Sequence, residues 1–185
     1  MNRIACTLPL SREQTGALVA GDRASLSGIL YTARDAAHKR FANLLDQGDA
    51  LPFPIEGACI YYAGPAPAKD GQIIGSAGPT TSGRMDAYTP RLLDLGLRCM
   101  IGKGNRSEAV IAAMKKAGAV YFAALGGAGA LLASRIMSAE TAAFPDLGTE
   151  AVRRLTVRDF PVIVAIDSRG GNLYTLGPER YLKPS

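Results

Sequence analysis

The sequence has no tryptophan, one histidine and three cysteines, and these shortages exclude several classes of protein. Cys6, Cys59 and Cys99 are far apart along the chain, and no C-x-x-C pair occurs. An odd number of widely spaced cysteines predicts neither a disulfide framework nor a zinc or iron–sulfur site built by this chain alone. The lone His38 adds no second imidazole to such a site. We therefore expect no metal bound by this chain, and cysteines buried as small apolar side chains in a reducing compartment.

Long apolar runs are also absent. No segment approaches the roughly 20 apolar residues that cross a bilayer, and residues 1–16 lack the apolar core of a secretory signal. No membrane partner is expected, and a cytoplasmic location is the default interpretation. Basic residues outnumber acidic ones by 21 to 16, but they are scattered and form no block. This favours a small anionic ligand over nucleic acid, and a nucleic-acid-binding module is only the third interpretation.

The apolar content, 48% of 185 residues, is enough to bury the core of one domain of ordinary size. In the first half, one helix is expected, with Thr32 as its N-cap and its end near Gly48. Apolar alternation and turn residues predict strands over residues 4–8, 23–31, 58–63 and 72–76. The last two of these strands look like a hairpin.

The second half changes to an alternation of helices and strands. Thr89 and Asn105 are the expected N-caps of its first two helices. The predicted order is helix 90–95, strand 97–101, helix 106–117, strand 120–124, helix 128–136, and strands 152–157, 161–166 and 173–176. A β-α-β-α run implies parallel strands joined by right-handed crossovers. We therefore predict one α/β domain over residues 1–185, with a mixed sheet.

Residues 76–86 form the first of three glycine-flanked segments with hydroxyl or basic side chains. The segment combines a Gly-Pro break, the consecutive hydroxyls Thr80, Thr81 and Ser82, and Arg84. Hydroxyls and backbone N–H groups at such a turn can hold an oxyanion, and an arginine can bind a carboxylate bidentately. The same residue types are also ordinary helix caps and turn formers, so both interpretations stand at this point.

Residues 102–107 form the second segment, which places Lys103 and Arg106 at a predicted helix start. The N-terminus of a helix attracts anions and is unfavourable for cations, so we expect a ligand to supply the missing negative charge; a solvated turn is the alternative. The spacing is not that of a Walker A loop. Arg34 lies at a third helix start, and Arg84 lies in the first segment. All four cations follow predicted strands, at the edge where α/β sheets bind ligands, and together they favour a small dianion.

Three segments, 28–40, 78–86 and 102–107, resemble the characteristic blocks of the C-terminal domain of class I fumarases. Separate β subunits of fumarate and tartrate dehydratases carry the same domain, and the resemblance runs from about residue 21 to residue 174. It implies a swivelling β/β/α domain that docks onto a larger α subunit, as a heterodimer paired into a heterotetramer. That partner carries a [4Fe–4S] cluster on cysteines that this chain lacks, as the split, two-subunit form of the enzyme requires.

Carried over position by position, the resemblance assigns the base-associated threonine to Thr80. It assigns the carboxylate-binding residues to Arg34, Arg84 and Lys103. The implied reaction is the reversible hydration of fumarate to malate, with the cluster iron as Lewis acid and the cations stabilising the aci-carboxylate that develops. A threonine hydroxyl has a pKa far above neutral, so it needs a partner carboxylate, expected from the α subunit, to relay a proton.

Several interpretations stay open at the level of sequence. Tartrate or a methylated fumarate is the alternative substrate. A phosphate- or nucleotide-binding α/β module is the main alternative from another class, because glycine turns at helix starts also suit phosphates. Thr81, Arg106 and His38 have no assigned role.

Overall fold

The computed structural model describes residues 3–124 and 127–182. Its strands are β1 Ile4–Thr7, β2 Arg23–Thr32, β3 Cys59–Tyr61, β4 Cys99–Gly102, β5 Val120–Ala123, β6 Ile136–Ala143 and β7 Val152–Ile166. Its α-helices are α1 Arg12–Ala17, α2 Asp35–Gln47, α3 Thr89–Asp94, α4 Glu108–Ala117, α5 Gly129–Ala133 and α6 Leu173–Leu182. Two 3₁₀ helices cover Ser82–Met85 and Pro145–Glu150. Within these ranges, no helix is long and apolar enough to cross a membrane.

The strands form one mixed sheet in the order β1-β2-β3-β4-β5-β7-β6. Neighbours from β1 to β5 run parallel, and β7 runs antiparallel to each of its partners. Since the long β7 pairs with both β5 and β2, strands β2, β3, β4, β5 and β7 close partly into a barrel. The predicted α/β class, mixed sheet and β4-α4-β5-α5 run are confirmed.

Both faces of the central parallel strands β3, β4 and β5 are buried, as is usual in α/β folds. Cys59, Tyr61 and Phe122 belong to the cluster on one face, together with Cys6 of β1 and much of β7. Their neighbours Ile60 and Tyr121 belong to the second cluster, beneath helices α2, α3 and α4. All three cysteines are free and buried, as predicted.

Three predicted helix caps are wrong by one or two residues. Helix α3 has Tyr88 rather than Thr89 at its N-cap position, and Thr89 is its first residue. Thr32 is the last residue of β2, and its buried hydroxyl accepts the N–H of Arg153 at 3.1 Å, so Arg34 takes the N-cap position of α2. Helix α4 is capped by Ser107 rather than Asn105, because the Ser107 hydroxyl accepts the N–H of Val110. The predicted ends hold: Gly48 and Gly118 close their helices at φ 79° and 68°, which favours glycine.

The predicted hairpin is also wrong. Residues 72–76 form no strand, and β3 pairs instead with β2 and β4. Three buried residues of β3 thus lie between two parallel neighbours, a long-range arrangement that local apolar alternation cannot distinguish from a hairpin strand.

The end of the chain differs from prediction in three places. The predicted strands 152–157 and 161–166 are one continuous strand, β7. The residues between them, predicted to form a turn, form a β-bulge instead, because Asp159 has φ 51° and the register against β2 shifts there. The helix predicted over 128–136 ends at Ala133, and Ile136 begins β6. Residues 173–176 lie in α6 rather than in a strand.

Candidate active site

The carboxyl ends of β2, β3 and β4 meet at one edge of the sheet. The parallel register pairs Thr32 with Tyr61, and Tyr61 with Ile101. Arg34 follows β2 and Lys103 follows β4 directly, so both lie at this edge. This is the edge at which open α/β sheets bind ligands.

Thr80 is held beside Lys103 by the backbone. The Thr80 N–H donates to the carbonyl of Tyr62, just past β3, at 2.7 Å, and the Lys103 N–H donates to the Thr80 carbonyl at 3.3 Å. The Ser82 N–H then donates to the Lys103 carbonyl at 2.9 Å. A Cβ at Gly102 would lie 1.9 Å from the Ser82 hydroxyl, so this close approach requires glycine. The structure therefore brings Thr80 and Lys103 together.

The half-buried Thr80 is not a helix cap. The 3₁₀ helix Ser82–Met85 has Thr81 at its N-cap position, and Thr81 makes no side-chain cap bond. Within the described part of the chain, the Thr80 hydroxyl makes no hydrogen bond either, although both of its backbone groups are bonded. The hydroxyl is therefore available to a ligand or a partner.

The Arg34 guanidinium has few hydrogen-bond partners, although its side chain is only 22% exposed. Its Nη2 lies 3.2 Å from Oε1 of Glu150, and its Nε lies 3.9 Å from Oδ2 of Asp35, beyond hydrogen-bond distance. Both Arg34 Nε and Asp35 Oδ2 are buried without a hydrogen-bond partner. Unsatisfied donors on a mostly buried guanidinium are costly, and an anionic ligand would satisfy them.

Arg84 reaches the same carboxylate from the 3₁₀ helix. Its Nε lies 2.8 Å from Oδ1 of Asp35, while 53% of the Arg84 side chain stays exposed. Lys103 is exposed and has no ion pair among the described residues. Asp35 thus lies between Arg34 and Arg84, and a backbone hydrogen bond holds Thr80 beside Lys103.

Arg106 does not belong to this edge, contrary to the sequence-based expectation. Its side chain is fully buried, with Nε donating to Oδ1 of Asp86 at 2.7 Å and the guanidinium carbon 5.2 Å from the ring centres of Tyr62 and Tyr121. The other oxygen of Asp86 accepts the N–H of Ser107 at 2.6 Å, at the start of α4. The negative charge expected from a ligand at this helix start is supplied by Asp86.

Glu150 is a residue of the site that sequence reasoning missed. Its Oε2 accepts the N–H of Ala36 in the first turn of α2 at 3.2 Å, while Oε1 faces Arg34. Glu150 lies 114 positions after Ala36, so no local pattern connects them. Asp35, the first residue of α2, is the second carboxylate beside Arg34.

His38 is buried and holds the backbone of Arg34. Its Nδ1 lies 2.8 Å from the Arg34 carbonyl oxygen, which can only accept, so Nδ1 carries the hydrogen. Nε2 is buried without a partner. Burial lowers the pKa of His38 to about 4, so the ring is neutral near pH 7. His38 therefore has a structural role at the start of α2.

No metal or cluster site is formed by this chain's own described residues. No group of three or more His, Cys, Asp or Glu side chains is placed there to hold a metal ion. Burial raises the pKa of Cys6 and of Cys59, which favours thiols over metal-binding thiolates. The residues present do not fit an iron–sulfur cluster.

Comparison with known proteins identifies relatives that are much longer than this chain and a relative of similar length. Fumarate hydratase 2 of Leishmania major is 41% identical over 166 residues, 89% of this chain and 29% of that protein. The aerobic class I fumarate hydratase of Escherichia coli K12 is 42% identical over 154 residues, 82% of this chain and 28% of that protein. This chain thus spans about three tenths of the length of these two relatives.

The third relative is similar in length to this chain. It is named "Putative L(+)-tartrate dehydratase subunit beta", comes from Methanocaldococcus jannaschii, and is 38% identical over 171 residues, 89% of this chain and 88% of that protein. The family described as Fumarase C-terminus matches residues 1–177. The chain therefore belongs to the Fumarase C-terminus family, whose members include parts of class I fumarate hydratases.

Proposed function

We propose that this chain is the β subunit of a two-subunit hydro-lyase that reversibly hydrates fumarate to malate. The observation that carries the proposal is the convergence of Arg34, Arg84, Lys103 and Thr80 on one sheet edge. Relatives named fumarate hydratase support the reaction type. A relative of matching length named as a beta subunit supports the subunit role.

The charges at this edge suit a dicarboxylate. This edge carries three cations, Arg34, Arg84 and Lys103, and two carboxylates, Asp35 and Glu150, which leaves a net positive charge for a dianion. A guanidinium can bind each substrate carboxylate through two parallel hydrogen bonds, while lysine adds a point charge. The same cations stabilise the extra charge that develops on the substrate carboxylate when a carbon-bound proton leaves.

Thr80 is the proposed proton relay. Its hydroxyl accepts the proton that leaves the substrate carbon while its own proton passes to a base. Because a free threonine hydroxyl is a very weak base, the relay needs a carboxylate. The Thr80 hydroxyl has no bonded carboxylate within the described residues, so the partner subunit is the proposed source.

The [4Fe–4S] cluster is assigned to the partner in this proposal. The family resemblance implies an α subunit that carries it, and the described residues of this chain do not fit one. The two chains then form a heterodimer, paired into a heterotetramer. The role of this chain is to bind and orient the dicarboxylate and to move the proton.

Tartrate is the second candidate substrate, because the relative of matching length is named for a tartrate dehydratase. The phosphate-binding interpretation has less support. The first turns of α2 and α4, where a phosphate would bind, are already occupied by Glu150 and Asp86.

Reconstitution tests the proposal. This chain alone should be colourless, free of iron and inactive, and mixing it anaerobically with a cluster-bearing α subunit should produce hydration of fumarate. Comparison of kcat/KM for malate and for L(+)-tartrate then identifies the substrate. Fumarate hydration by the isolated chain, or no activity with either substrate in the reconstituted pair, would reject the proposal.

A further inference from the structure

Asp35 contacts the two arginines of the candidate site unequally. Its Oδ1 lies 2.8 Å from Nε of Arg84, whereas its Oδ2 lies 3.9 Å from Nε of Arg34. Arg34 has a second carboxylate, Glu150, at 3.2 Å from its Nη2. Within the described residues, Asp35 is the one carboxylate paired with Arg84, and it lies at the start of the well-anchored helix α2.

The contact uses one particular side of the Arg84 guanidinium. A guanidinium can meet a carboxylate through its Nε edge or through its two terminal nitrogens. Asp35 lies against Nε, and within the described residues the terminal nitrogens of Arg84 make no hydrogen bond, so they are left for another anion. The Arg84 side chain is 53% exposed and lies on a short 3₁₀ helix. Without Asp35, a long side chain in that position would sample many rotamers.

We propose that Asp35 is a positioning residue that aligns the terminal nitrogens of Arg84 with one carboxylate of the substrate. The inference rests on the proposed function, because it requires Arg84 to bind the dicarboxylate. Asp35 acts through Arg84 and does not itself contact the substrate. It is therefore a determinant of substrate orientation that sequence reasoning did not assign.

If Asp35 only adds negative charge, removing that charge should change the kinetics in the opposite direction. If charge alone mattered, Asp35→Asn would remove repulsion of the dianion, and the KM for malate would fall. If Asp35 positions Arg84, the loss of alignment outweighs the electrostatic gain, and kcat/KM falls. Misplacement of a binding group by about 1 Å can cost on the order of 100-fold. We expect a decrease of about 10-fold or more in kcat/KM for Asp35→Asn.

The experiment uses the reconstituted two-subunit enzyme with malate. Asp46→Asn is the matched control, because Asp46 lies on the same helix and pairs with an exposed arginine, Arg91, outside the site. Asp35→Asn should lower kcat/KM, Asp46→Asn should leave it unchanged, and Asp35→Glu should recover part of the loss because it restores the charge. In an Arg84→Ala background, Asp35→Asn should cause no further decrease, since its effect passes through Arg84.

The outcomes separate this inference from the proposed function. Normal or improved kcat/KM in Asp35→Asn, with a clear defect in Arg84→Ala, overturns the positioning role and leaves the proposed function intact. Normal kinetics in both Arg84→Ala and Arg34→Ala overturns both. If Asp35→Asn does not fold, Asp35→Glu decides, because the positioning role predicts that moving the carboxylate by one methylene group lowers kcat/KM even though the charge is kept.

Discussion

Arg34 and Arg106 both precede a helix, yet the fold places them in opposite environments. Arg106 is enclosed by Asp86 and two tyrosine rings, and a carboxylate satisfies its charge inside the protein. Arg34 is mostly buried as well, but its Nε has no hydrogen-bond partner and its nearest carboxylates lie at 3.2 and 3.9 Å. The comparison shows that an arginine at a helix start indicates an anion without indicating whether that anion belongs to the chain or to a ligand. Substitutions at the Arg106 cluster should therefore change stability, and substitutions at the sheet edge should change activity.

Arg106→Leu should have the largest effect, on stability. It leaves the Asp86 carboxylate beside a buried apolar side chain, and breaking a buried pair in this way costs about 3–5 kcal/mol. Urea unfolding of the isolated chain measures the loss. Arg106→Leu combined with Asp86→Asn should recover part of it, because the unpaired charge is gone. An unchanged midpoint in Arg106→Leu would contradict the structural role of this cluster.

Thr80→Val should have the largest effect on activity. The substitution keeps the shape and removes the hydroxyl that relays the proton, so kcat should fall by roughly 10² or more in the reconstituted enzyme. KM should change little because the cations remain, and the unfolding midpoint should hold because Thr80 caps no helix.

Thr81→Val is the control for Thr80, since Thr81 is exposed and makes no cap bond. It should keep most of the activity. If Thr81→Val were the impaired variant and Thr80→Val active, the assignment within the threonine pair would be wrong by one position. If neither variant lost activity, the base would lie wholly on the partner.

Arg34→Ala, Arg84→Ala and Lys103→Ala should each lower kcat/KM without unfolding the chain. Loss of a hydrogen bond to a charged group costs about 1.5–3 kcal/mol, which corresponds to about 10- to 150-fold. Arg84→Lys should also be impaired, because an ammonium group cannot reproduce a bidentate contact. Steady-state kinetics with malate provides the measurement. Near-normal turnover in all three alanine variants would identify these cations as ordinary surface charges.

His38 should make a smaller, pH-dependent contribution. Its pKa is lowered to about 4 in the folded chain, from an ordinary value of about 6.5 when unfolded. The unfolded chain therefore binds more protons between these values, and stability falls as the pH falls. From about pH 7.5 to about pH 5.5 the loss should be about 1 kcal/mol.

The His38 prediction has a clean control because the chain contains one histidine. The His38→Asn variant keeps a donor near the Arg34 carbonyl but cannot titrate. Denaturant unfolding at both pH values should show a smaller pH-dependent loss in His38→Asn than in the wild type. Equal losses in both proteins would mean that His38 is not buried in its neutral form.

Much of the architecture was predictable because its causes are local. Strands β3, β4 and β5 lie in short apolar runs of the sequence, and α2 and α4 end at glycines that adopt positive φ. The errors arose where pairing is long-range. β3 pairs with two parallel strands rather than with residues 72–76, and the turn residues near Asp159 form a bulge inside β7. Sheet pairing is decided by partners that are distant along the chain, which a local pattern does not contain.

The candidate site was predictable in part for the same reason. Thr80, Arg84 and Lys103 lie near glycines in the sequence, and Arg34 and Lys103 follow β2 and β4, whose ends the parallel sheet brings together through β3. Glu150 was missed because it belongs to the segment before β7 and reaches Arg34 only through the fold. Arg106 was misplaced because its enclosure by Tyr62 and Tyr121 depends on β3 and β5, the strands on either side of β4.

The sequence by itself determined the chemical inventory of this protein: the cations, hydroxyls and glycines, and the absence of a cysteine pattern for a cluster. These follow from residue identity and short spacings, which are properties of the chain. Only the tertiary structure decided which cations are neutralised internally. Asp86 lies 20 positions before Arg106 and satisfies it, while Asp35 and Glu150 leave Arg34 Nε without a hydrogen bond. Charge satisfaction depends on distances of a few ångströms between residues remote in sequence, and those distances exist only once the barrel has closed.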